Sequence, residues 1–384
     1  MKKQTHKNKI QERKQENKKK ILFLSPLPPP EYGSAMSSEM CLNILRNSKG
    51  FQVENIKLNY SKEMSDVGKI NLDKIKGILK VKKQIKEKLR SFRPEKIYFV
   101  PATSGLGLIR DYLFVREIKK QIGKGKILFH IRSRTIRNKK NDFFYKKMFS
   151  GEKAIVLGEQ LIKDVSPWIK KRDISILPNA IKNEISKKEF QKIIEQRKKN
   201  KNFNILFLSN MDKTKGWPKL LKTCKILNEK NIDFKCNFVG AWQSEKDEKY
   251  FYDFIKKNNL EKKIFSLGKK TGKEKNKFLE GADVLVFPTE YKLETFGRVI
   301  IEAMMFGLPV IANGIASIPN IIKQNKTGFI LNENTPEEIA NYIKKLYNNK
   351  KLREDMGKQG RKKFLEEFEK KYYEINFLNF IHST

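Results

Sequence analysis

Residues 282–314 read ADVLVFPTEYKLETFGRVIIEAMMFGLPVIANG, and this stretch decides the fold class. The apolar run at 282–288 predicts a buried strand, and the polar residues after it predict a loop. A helix is expected to begin at Phe296-Gly297, and a second strand follows the turn at 307–309. Because a strand, a crossover helix and a second strand form a parallel βα unit, the stretch predicts an α/β protein.

The same alternation of short β-branched runs and amphipathic stretches recurs through the chain of 384 residues. It pauses at 182–202, a charged stretch with few large apolar residues. The predicted strands are 21–25, 53–59, 96–101, 126–131, 153–158 and 174–180 before the pause, and 204–210, 234–240, 263–268, 282–288, 309–314 and 328–331 after it. We therefore expect two Rossmann-like domains, each built on a doubly wound parallel sheet.

The expected domain organisation follows from these runs and from a chain length that suits two domains. A basic flexible tail is expected at residues 1–20, followed by a first domain at 21–181. A linker at 182–202 leads to a second domain at 203–365. A C-terminal helix at 366–384 is expected to return to the first domain.

The charge of the chain points to anionic partners. There are 83 Lys and Arg residues against 43 Asp and Glu residues, a formal net charge of +40. Nucleic acid, an anionic membrane surface and phosphorylated small molecules all suit such a chain. Nucleic acid is disfavoured because the lysines are spread along the whole sequence and no basic-aromatic motif appears. The membrane surface stays open as a partner.

Three widely separated cysteines and the lack of a long apolar run indicate the compartment. The cysteines form no CxxC pair, which favours a reducing environment. No run of about 18 apolar residues could span a bilayer. We expect a cytoplasmic protein, with a peripheral position on the inner face of the membrane as an open possibility.

Two carboxylates in the opening stretch are candidates for a binding site. Glu294 lies in the loop after a predicted strand, where ligands of open α/β sheets bind. Glu302 lies two turns inside the following helix, one turn after Arg298, so an Arg298–Glu302 ion pair is one interpretation. A vicinal diol such as a ribose is the other, and we favour it because an apolar helix buries its carboxylate. The helix N-terminus suits a phosphate.

This stretch resembles the donor-site signature of retaining GT-B glycosyltransferases of the glycosyl transferases group 1 family, E-x-F-G-x-x-x-x-E-A-M-x-x-G-x-P-V. The match is contiguous from Glu294 to Val310. The resemblance implies two domains facing a cleft, a nucleoside-diphosphate sugar as donor, and retention of the anomeric configuration. It also implies that Glu294 contacts the donor sugar, that the backbone of Phe296 and Gly297 contacts the sugar or diphosphate, and that Glu302 contacts the ribose.

A second motif, ILFLSNMDKTKGWPKLL at 205–221, is similar to the family's diphosphate site. The family has an arginine and a lysine five residues apart there, and Lys215 matches the lysine whereas Asn210 replaces the arginine. The replacement removes a positive charge where the leaving group becomes more negative. Arg298 and Lys213 are candidate substitutes. Lys269, after another predicted strand, is a candidate for the nucleobase edge, with a plain turn as the alternative.

Further candidate residues depend on the same resemblance. Gly33, in the loop after the first strand, corresponds to a glycine-containing acceptor loop, where it would let backbone approach the substrate. His130 ends the fourth strand and is expected to hydrogen-bond the donor sugar or the acceptor. Asn320 stands where the family has a glutamate, which leaves the role of that loop open. The basic stretch at 131–140 is a candidate to meet an anionic acceptor.

The resemblance implies a retaining glycosyltransferase, and the residues give no sign that it needs a metal or other cofactor. No D-x-D occurs and no His, Asp and Glu cluster has the spacing of metal ligands. His130, Lys215 and Glu294 are the predicted catalytic residues, and a glycan or lipid-linked hydroxyl in cell-surface polysaccharide or glycolipid synthesis is the expected acceptor. The alternatives are a catalytically degenerate GT-B relative and a basic nucleic-acid-binding protein.

Overall fold

A computed structural model describes residues 18–29, 33–58, 72–135, 139–200 and 202–383. Most of the basic tail expected at the start of the chain lies outside these ranges. The chain divides into two compact units, which we call unit 1 and unit 2. Unit 1 extends to Leu177 and resumes at Glu374, and unit 2 is Pro178–Tyr373.

Unit 1 is a six-stranded parallel sheet with helices between its strands. The strands are β1 Lys19–Ser25, β2 Phe51–Lys57, β3 Lys96–Phe99, β4 Ile127–His130, β5 Lys153–Val156 and β6 Ile174–Ile176. The helices are α1 Gly33–Asn47, α2 Leu72–Ser91, α3 Gly105–Ile122, α4 Lys139–Phe149 and α5 Ile162–Val165. The strand order is β2-β1-β3-β4-β5-β6. The second strand therefore lies on one side of β1, and the later strands follow in sequence on the other side.

Unit 2 repeats this architecture. Its strands are β7 Phe203–Leu208, β8 Phe234–Val239, β9 Ile264–Ser266, β10 Val284–Phe287, β11 Val310–Asn313 and β12 Gly328–Leu331. Its helices are α6 Lys187–Lys199, α7 Trp217–Glu229, α8 Glu245–Lys257, α9 Gly272–Gly281, α10 Arg298–Met305, α11 Ile318–Ile321, α12 Pro336–Asn348 and α13 Lys350–Lys363. The order β9-β8-β7-β10-β11-β12 is the 3-2-1-4-5-6 order of a Rossmann sheet.

The two doubly wound sheets confirm the predicted fold class. All twelve predicted strands are present, because their β-branched runs suit strands that are covered on both faces. In unit 2, Ile205 pairs with Val284 across β7 and β10, which places the ends of these two strands side by side. The core around this sheet contains Phe207, Trp217 and Phe251, all fully buried.

The chain ends with helical segments that belong to both units. A π-helical turn, Phe364–Phe368, follows α13, and the last helix, α14, is Lys370–Ser383. The unit boundary falls inside α14, and most of this helix is counted with unit 1. The stretch expected as a linker contains α6, which is counted with unit 2. Within the described ranges, no helix is long and apolar enough to cross a membrane.

Helix α2 of unit 1 has one buried apolar face and one exposed basic face. The apolar positions Val81, Ile85 and Leu89 of α2 are buried, while Lys83 on the same helix is exposed. This is the pattern of a Rossmann helix packed on its sheet.

Candidate active site

The strand order places the candidate site at the loops that follow β7 and β10. These strands are neighbours at the point where the order of the sheet reverses, which is where open α/β sheets bind ligands. The loops also contact each other, since the Glu290 amide donates to the Thr214 carbonyl at 2.7 Å. Gly216 has φ +90°, and an added Cβ would collide with the Pro288 carbonyl. A glycine at this position therefore lets the two loops pack together.

Lys215 lies at the centre of this contact. It ends a single 3-10 turn, Lys213–Lys215, which Asp212 caps by accepting from the Thr214 amide. Its Nζ donates to Glu294 Oε2 at 2.9 Å and lies 4.0 Å from the centroid of the Tyr291 ring. The side chain is 19% exposed. The structure thus brings together two residues that the sequence assigned to one site from separate motifs.

The other oxygen of Glu294 occupies the N-terminus of α10. Glu294 Oε1 accepts hydrogen bonds from the amides of Thr295, Phe296 and Gly297, at 3.2, 3.4 and 3.1 Å. Gly297 is the N-cap residue and has φ +76°, a conformation that favours glycine. Free amides at a helix N-terminus attract anions, and here a carboxylate takes that position. A sugar or phosphate oxygen that bound these amides would replace Oε1.

The side chain and the backbone amide of Phe296 have different surroundings. The ring is buried and packs edge to face on Phe368, with centroids 6.1 Å apart. Only the backbone of Phe296 contacts the Glu294 carboxylate, and its expected contact with a sugar or diphosphate stays a prediction.

Glu302, in α10, is paired with two cations. Its carboxylate lies 2.9 Å from Lys275 Nζ of α9 and 3.4 Å from Arg298 Nε. The Arg298 pair is the one that the sequence raised as the alternative to a ribose. Lys275 was missed, because α9 contains several lysines and their spacing does not single one out. A ribose diol would share the carboxylate with these two cations.

The two residues expected to replace the family's missing arginine are engaged elsewhere. Lys213 Nζ is 2.7 Å from Asp247 Oδ1, and Arg298 is paired with Glu302. Asn210 itself is exposed in the loop after β7. The site therefore has Lys215 as the cation nearest to Glu294 among these candidates, and it carries less positive charge than the family pattern predicts.

Two further residues of unit 2 lie at the same edge of the sheet. Lys269 is exposed and lies three residues after the end of β9, a strand two places away from β7 in the sheet. Asn320 lies on the short α11, and its carbonyl accepts from Lys363 Nζ at 2.6 Å. Ser317, three residues before Asn320, contacts the loop that holds Glu294, because the Ser317 amide donates to the Thr295 carbonyl at 3.1 Å. Burial lowers the pKa of Lys363, a residue that the sequence did not indicate.

The candidates of unit 1 have contrasting surroundings. Gly33 is the first residue of α1 and is exposed, and an added Cβ would meet nothing within 4 Å. His130 is fully buried at the end of β4. Its Nδ1 lies 2.5 Å from the Tyr98 hydroxyl and 3.3 Å from Arg132 Nη2. Burial, followed by the charge of Arg132, lowers the pKa of His130 well below its ordinary value.

The basic stretch after His130 is partly used within unit 1. Arg134 makes two hydrogen bonds to the carboxylate of Asp164, at 2.9 and 3.3 Å. Residues 136–138 and the side chains of 139 and 140 lie outside the described part of the chain. Among the described residues, no group of three or more His, Cys, Asp and Glu side chains is arranged to hold a metal ion.

The fold defines the class as a GT-B protein, with the candidate site at the switch point of its second sheet. Residues 188–363 match the profile of the family described as "Glycosyl transferases group 1". The matched segment contains both motifs of the candidate site. This segment is similar to that family, and the curated relatives of the chain include glycosyltransferases, so the protein is a glycosyltransferase.

Individual relatives agree with this assignment. The chain is 28% identical over 294 residues to the capsular polysaccharide biosynthesis glycosyltransferase CapM of Staphylococcus aureus, covering 72% of this chain and 74% of CapM. It is 32% identical over 170 residues to an uncharacterized 41.2 kDa protein in the cps region of Klebsiella pneumoniae, covering 44% of each.

Among solved structures, Anabaena HepE in complex with UDP and glucose superposes with a TM-score of 0.70 at 14% identity. The superposition covers 95% of this chain and 100% of HepE. At this identity the likeness concerns the fold. The range of relatives is consistent with a protein of polysaccharide biosynthesis.

Proposed function

We propose that this glycosyltransferase moves a sugar from a nucleoside-diphosphate sugar to a hydroxyl of a glycan or lipid-linked acceptor, with retention of the anomeric configuration and without a metal ion. The observation that carries the proposal is the contact of Lys215 with Glu294 at the switch point of the second sheet. Two residues from separate loops meet there beside the amides of a helix N-terminus. HepE, which shares the fold, binds UDP and glucose.

In this proposal each group of the site has a separate task. Lys215 and the amides of Phe296 and Gly297 bind the diphosphate, and Glu294 contacts the donor sugar. Glu302 accepts hydrogen bonds from the ribose hydroxyls. The glycosidic bond to the phosphate breaks while the acceptor oxygen forms a bond to the same anomeric carbon. A phosphate oxygen of the leaving diphosphate takes the acceptor's proton, so the reaction does not need a protein base.

The leaving diphosphate gains negative charge, and positive groups fixed near it lower the barrier. Lys215 is suited to this task because the Tyr291 ring keeps the ammonium in place when Glu294 turns to the sugar. Lys269 remains a proposed contact to the nucleobase. On the acceptor side we assign Gly33 and His130, which lie in unit 1.

The acceptor class rests on the relatives and on the charge of the chain. CapM is named for capsular polysaccharide biosynthesis, and the Klebsiella protein is named for its place in a cps region. A net charge of +40 suits an acceptor or membrane surface that carries negative charge. We therefore propose a role in cell-surface polysaccharide or glycolipid synthesis, with the protein cytoplasmic and peripheral on the inner face of the membrane.

The test is a transfer assay with UDP-, GDP-, ADP- and CMP-sugars and an extract of lipid-linked and free glycans as acceptors. We expect turnover with one donor, unchanged by EDTA, and a product with the same anomeric configuration as the donor. Loss of turnover in EDTA that is restored by Mg²⁺ or Mn²⁺ would overturn metal independence. An inverted product would overturn retention.

A specific observation favours a second candidate, a donor-binding relative with weak transfer. Asn210 replaces the arginine of the family motif, and the nearby cations Lys213 and Arg298 are paired with carboxylates. We expect Asn210→Arg to raise kcat by about tenfold, because it restores a charge beside the leaving group. Asn210→Gln is the matched control. An unchanged kcat in Asn210→Arg, with donor binding intact, would count against this second candidate.

A further inference from the structure

His130 belongs to a buried polar cluster in unit 1. The cluster joins three elements, since Tyr98 lies on β3, His130 and Arg132 lie on and just after β4, and Cys41 lies on α1. Arg132 Nη2 is 3.3 Å from both His130 Nδ1 and Cys41 Sγ. All four side chains are buried. Among the described residues, the titratable and charged groups with a hydrogen bond to His130 are Tyr98 and Arg132.

These contacts determine the protonation of the imidazole. A guanidinium has donors and no acceptor, so the atom that faces Arg132 must accept. Nδ1 therefore carries no proton, and in a neutral imidazole the proton then lies on Nε2. The Tyr98 hydroxyl, at 2.5 Å from the same nitrogen, can donate to it as well. An imidazolium would place an N–H group against the guanidinium, which both charge and geometry disfavour.

The Nε2–H group that results has a special position. It is buried, and it has no hydrogen-bond partner among the residues that the structure describes. Buried donors in native proteins are nearly always paired, so an unpaired one indicates a ligand or another state of the protein that supplies the acceptor. His130 lies at the carboxyl end of a parallel strand, where ligands of this fold class bind.

We propose that Arg132 is a positioning residue that holds His130 as the neutral Nε2–H tautomer, so that His130 donates a hydrogen bond to a substrate oxygen and does not act as a base. The identity of this oxygen, as part of a sugar hydroxyl or a phosphate, rests on the proposed function. The assignment of the tautomer does not rest on the proposed function. The assignment agrees with a mechanism in which the leaving diphosphate, and not a side chain, accepts the proton. The lowered pKa of His130 is consistent with a neutral ring.

The direct test is nitrogen NMR of the full chain labelled with ¹⁵N-histidine. The sequence has 3 histidines, and the His130 signals are those lost in His130→Gln. We expect His130 to show an unprotonated Nδ1 and a protonated Nε2 throughout the range from about pH 5 to pH 8. An Nδ1–H tautomer, or an imidazolium in this range, would overturn the proposal.

Three variants separate Arg132 from the other neighbour of the ring. Arg132→Met removes the donor to Nδ1, and we expect a mixture of tautomers or protonation within the same pH range. Arg132→Lys retains a cationic donor and is expected to keep the wild-type signals. Tyr98→Phe removes the second partner and is also expected to keep them, because Arg132 alone fixes the tautomer. If Arg132→Met does not fold, the wild-type, Arg132→Lys and Tyr98→Phe spectra still decide the question.

Kinetics test the donated hydrogen bond separately. A glutamine amide can donate from nearly the position of Nε2–H and leucine cannot, so we expect kcat/KM of His130→Gln to exceed that of His130→Leu by about tenfold, the effect of roughly one hydrogen bond. Equal values in two folded variants would overturn the donation to substrate. If the wild-type protein shows no transfer with any donor, the proposed function fails while the NMR result stands by itself.

Discussion

At the scale of single residues, Lys215 carries the largest share of the proposed chemistry. Its ammonium is in contact with a carboxylate on one side and an aromatic ring on the other. A diphosphate at this site would compete with Glu294 for the same ammonium. The residue was predicted from its motif, and these two contacts fix the position of its ammonium.

Replacing Lys215 by methionine keeps the length of the side chain and removes the charge. We expect kcat to fall by about 10²–10³, the usual cost of losing one group that stabilises transition-state charge. Lys225→Met is the matched control, because Lys225 pairs with Glu229 on the exposed face of α7. Steady-state kinetics with a saturating donor measure both. A kcat within twofold of wild type in Lys215→Met would contradict the assigned role.

His130 predicts a pH dependence of stability with a definite sign. Its pKa is lower in the folded protein than the ordinary value of 6.5, so below that pH the unfolded chain binds a proton that the folded chain does not. The stability that the neutral ring gives to the folded protein is therefore complete above this ordinary value. Below it, the free energy of unfolding decreases by up to about 1.4 kcal/mol per pH unit. Urea unfolding at about pH 8 and pH 5 should show wild type losing more stability than His130→Gln. Equal losses would contradict the buried neutral ring.

At the scale of elements, α10 is held at both ends. Glu294 satisfies amides at its start, and Arg361 of α13 donates to the Met305 carbonyl at its end, at 2.5 Å. Arg361 also donates to the Ile185 carbonyl at 2.6 Å and to Asn183 at 3.1 Å. A cation at a helix C-terminus is favourable, and here it also joins the helix to the segment that enters unit 2. Glu302, in the same helix, therefore depends on a contact far from the site.

Arg361→Met should destabilise unit 2, because two buried carbonyls lose their donor. We expect a loss of about 2–6 kcal/mol in the free energy of unfolding, from about 1–3 kcal/mol for each unsatisfied group. Lys362→Met, at the exposed neighbouring position, is the control and should have little effect. Denaturant unfolding measures both variants. Equal stability of the two would show that the contacts of Arg361 do not hold α10.

At the scale of the whole molecule, the fold could be predicted from the sequence, whereas parts of the candidate site could not. The strands and α10 follow from local apolar patterns, which the chain repeats twelve times. Lys215 and Glu294 were assigned to one site because their two motifs resemble parts of the family's donor site. These features are encoded over short stretches of sequence.

The residues that were not predicted contact the site from helices that lie elsewhere in the sequence. Lys275 reaches Glu302 from another helix, and Arg361 reaches the end of α10 from a helix more than fifty residues later. Such contacts depend on how helices pack, which a lysine-rich sequence does not indicate. The buried pairing of His130 with Arg132 was missed for a related reason. The sequence around a histidine at the end of a strand does not indicate whether its side chain faces solvent or a neighbouring strand.

The central claim is that the switch point of the second sheet binds a nucleoside-diphosphate sugar through Glu302 and Lys215. Thermal unfolding of wild type and Glu302→Ala, each with a panel of UDP-, GDP-, ADP- and CMP-sugars, tests it most directly. We predict that one donor stabilises wild type by about 2.7 kcal/mol at a concentration 100 times its dissociation constant, and that Glu302→Ala loses this stabilisation while remaining folded. No stabilisation of wild type by any donor, or equal stabilisation of both proteins, would contradict the account.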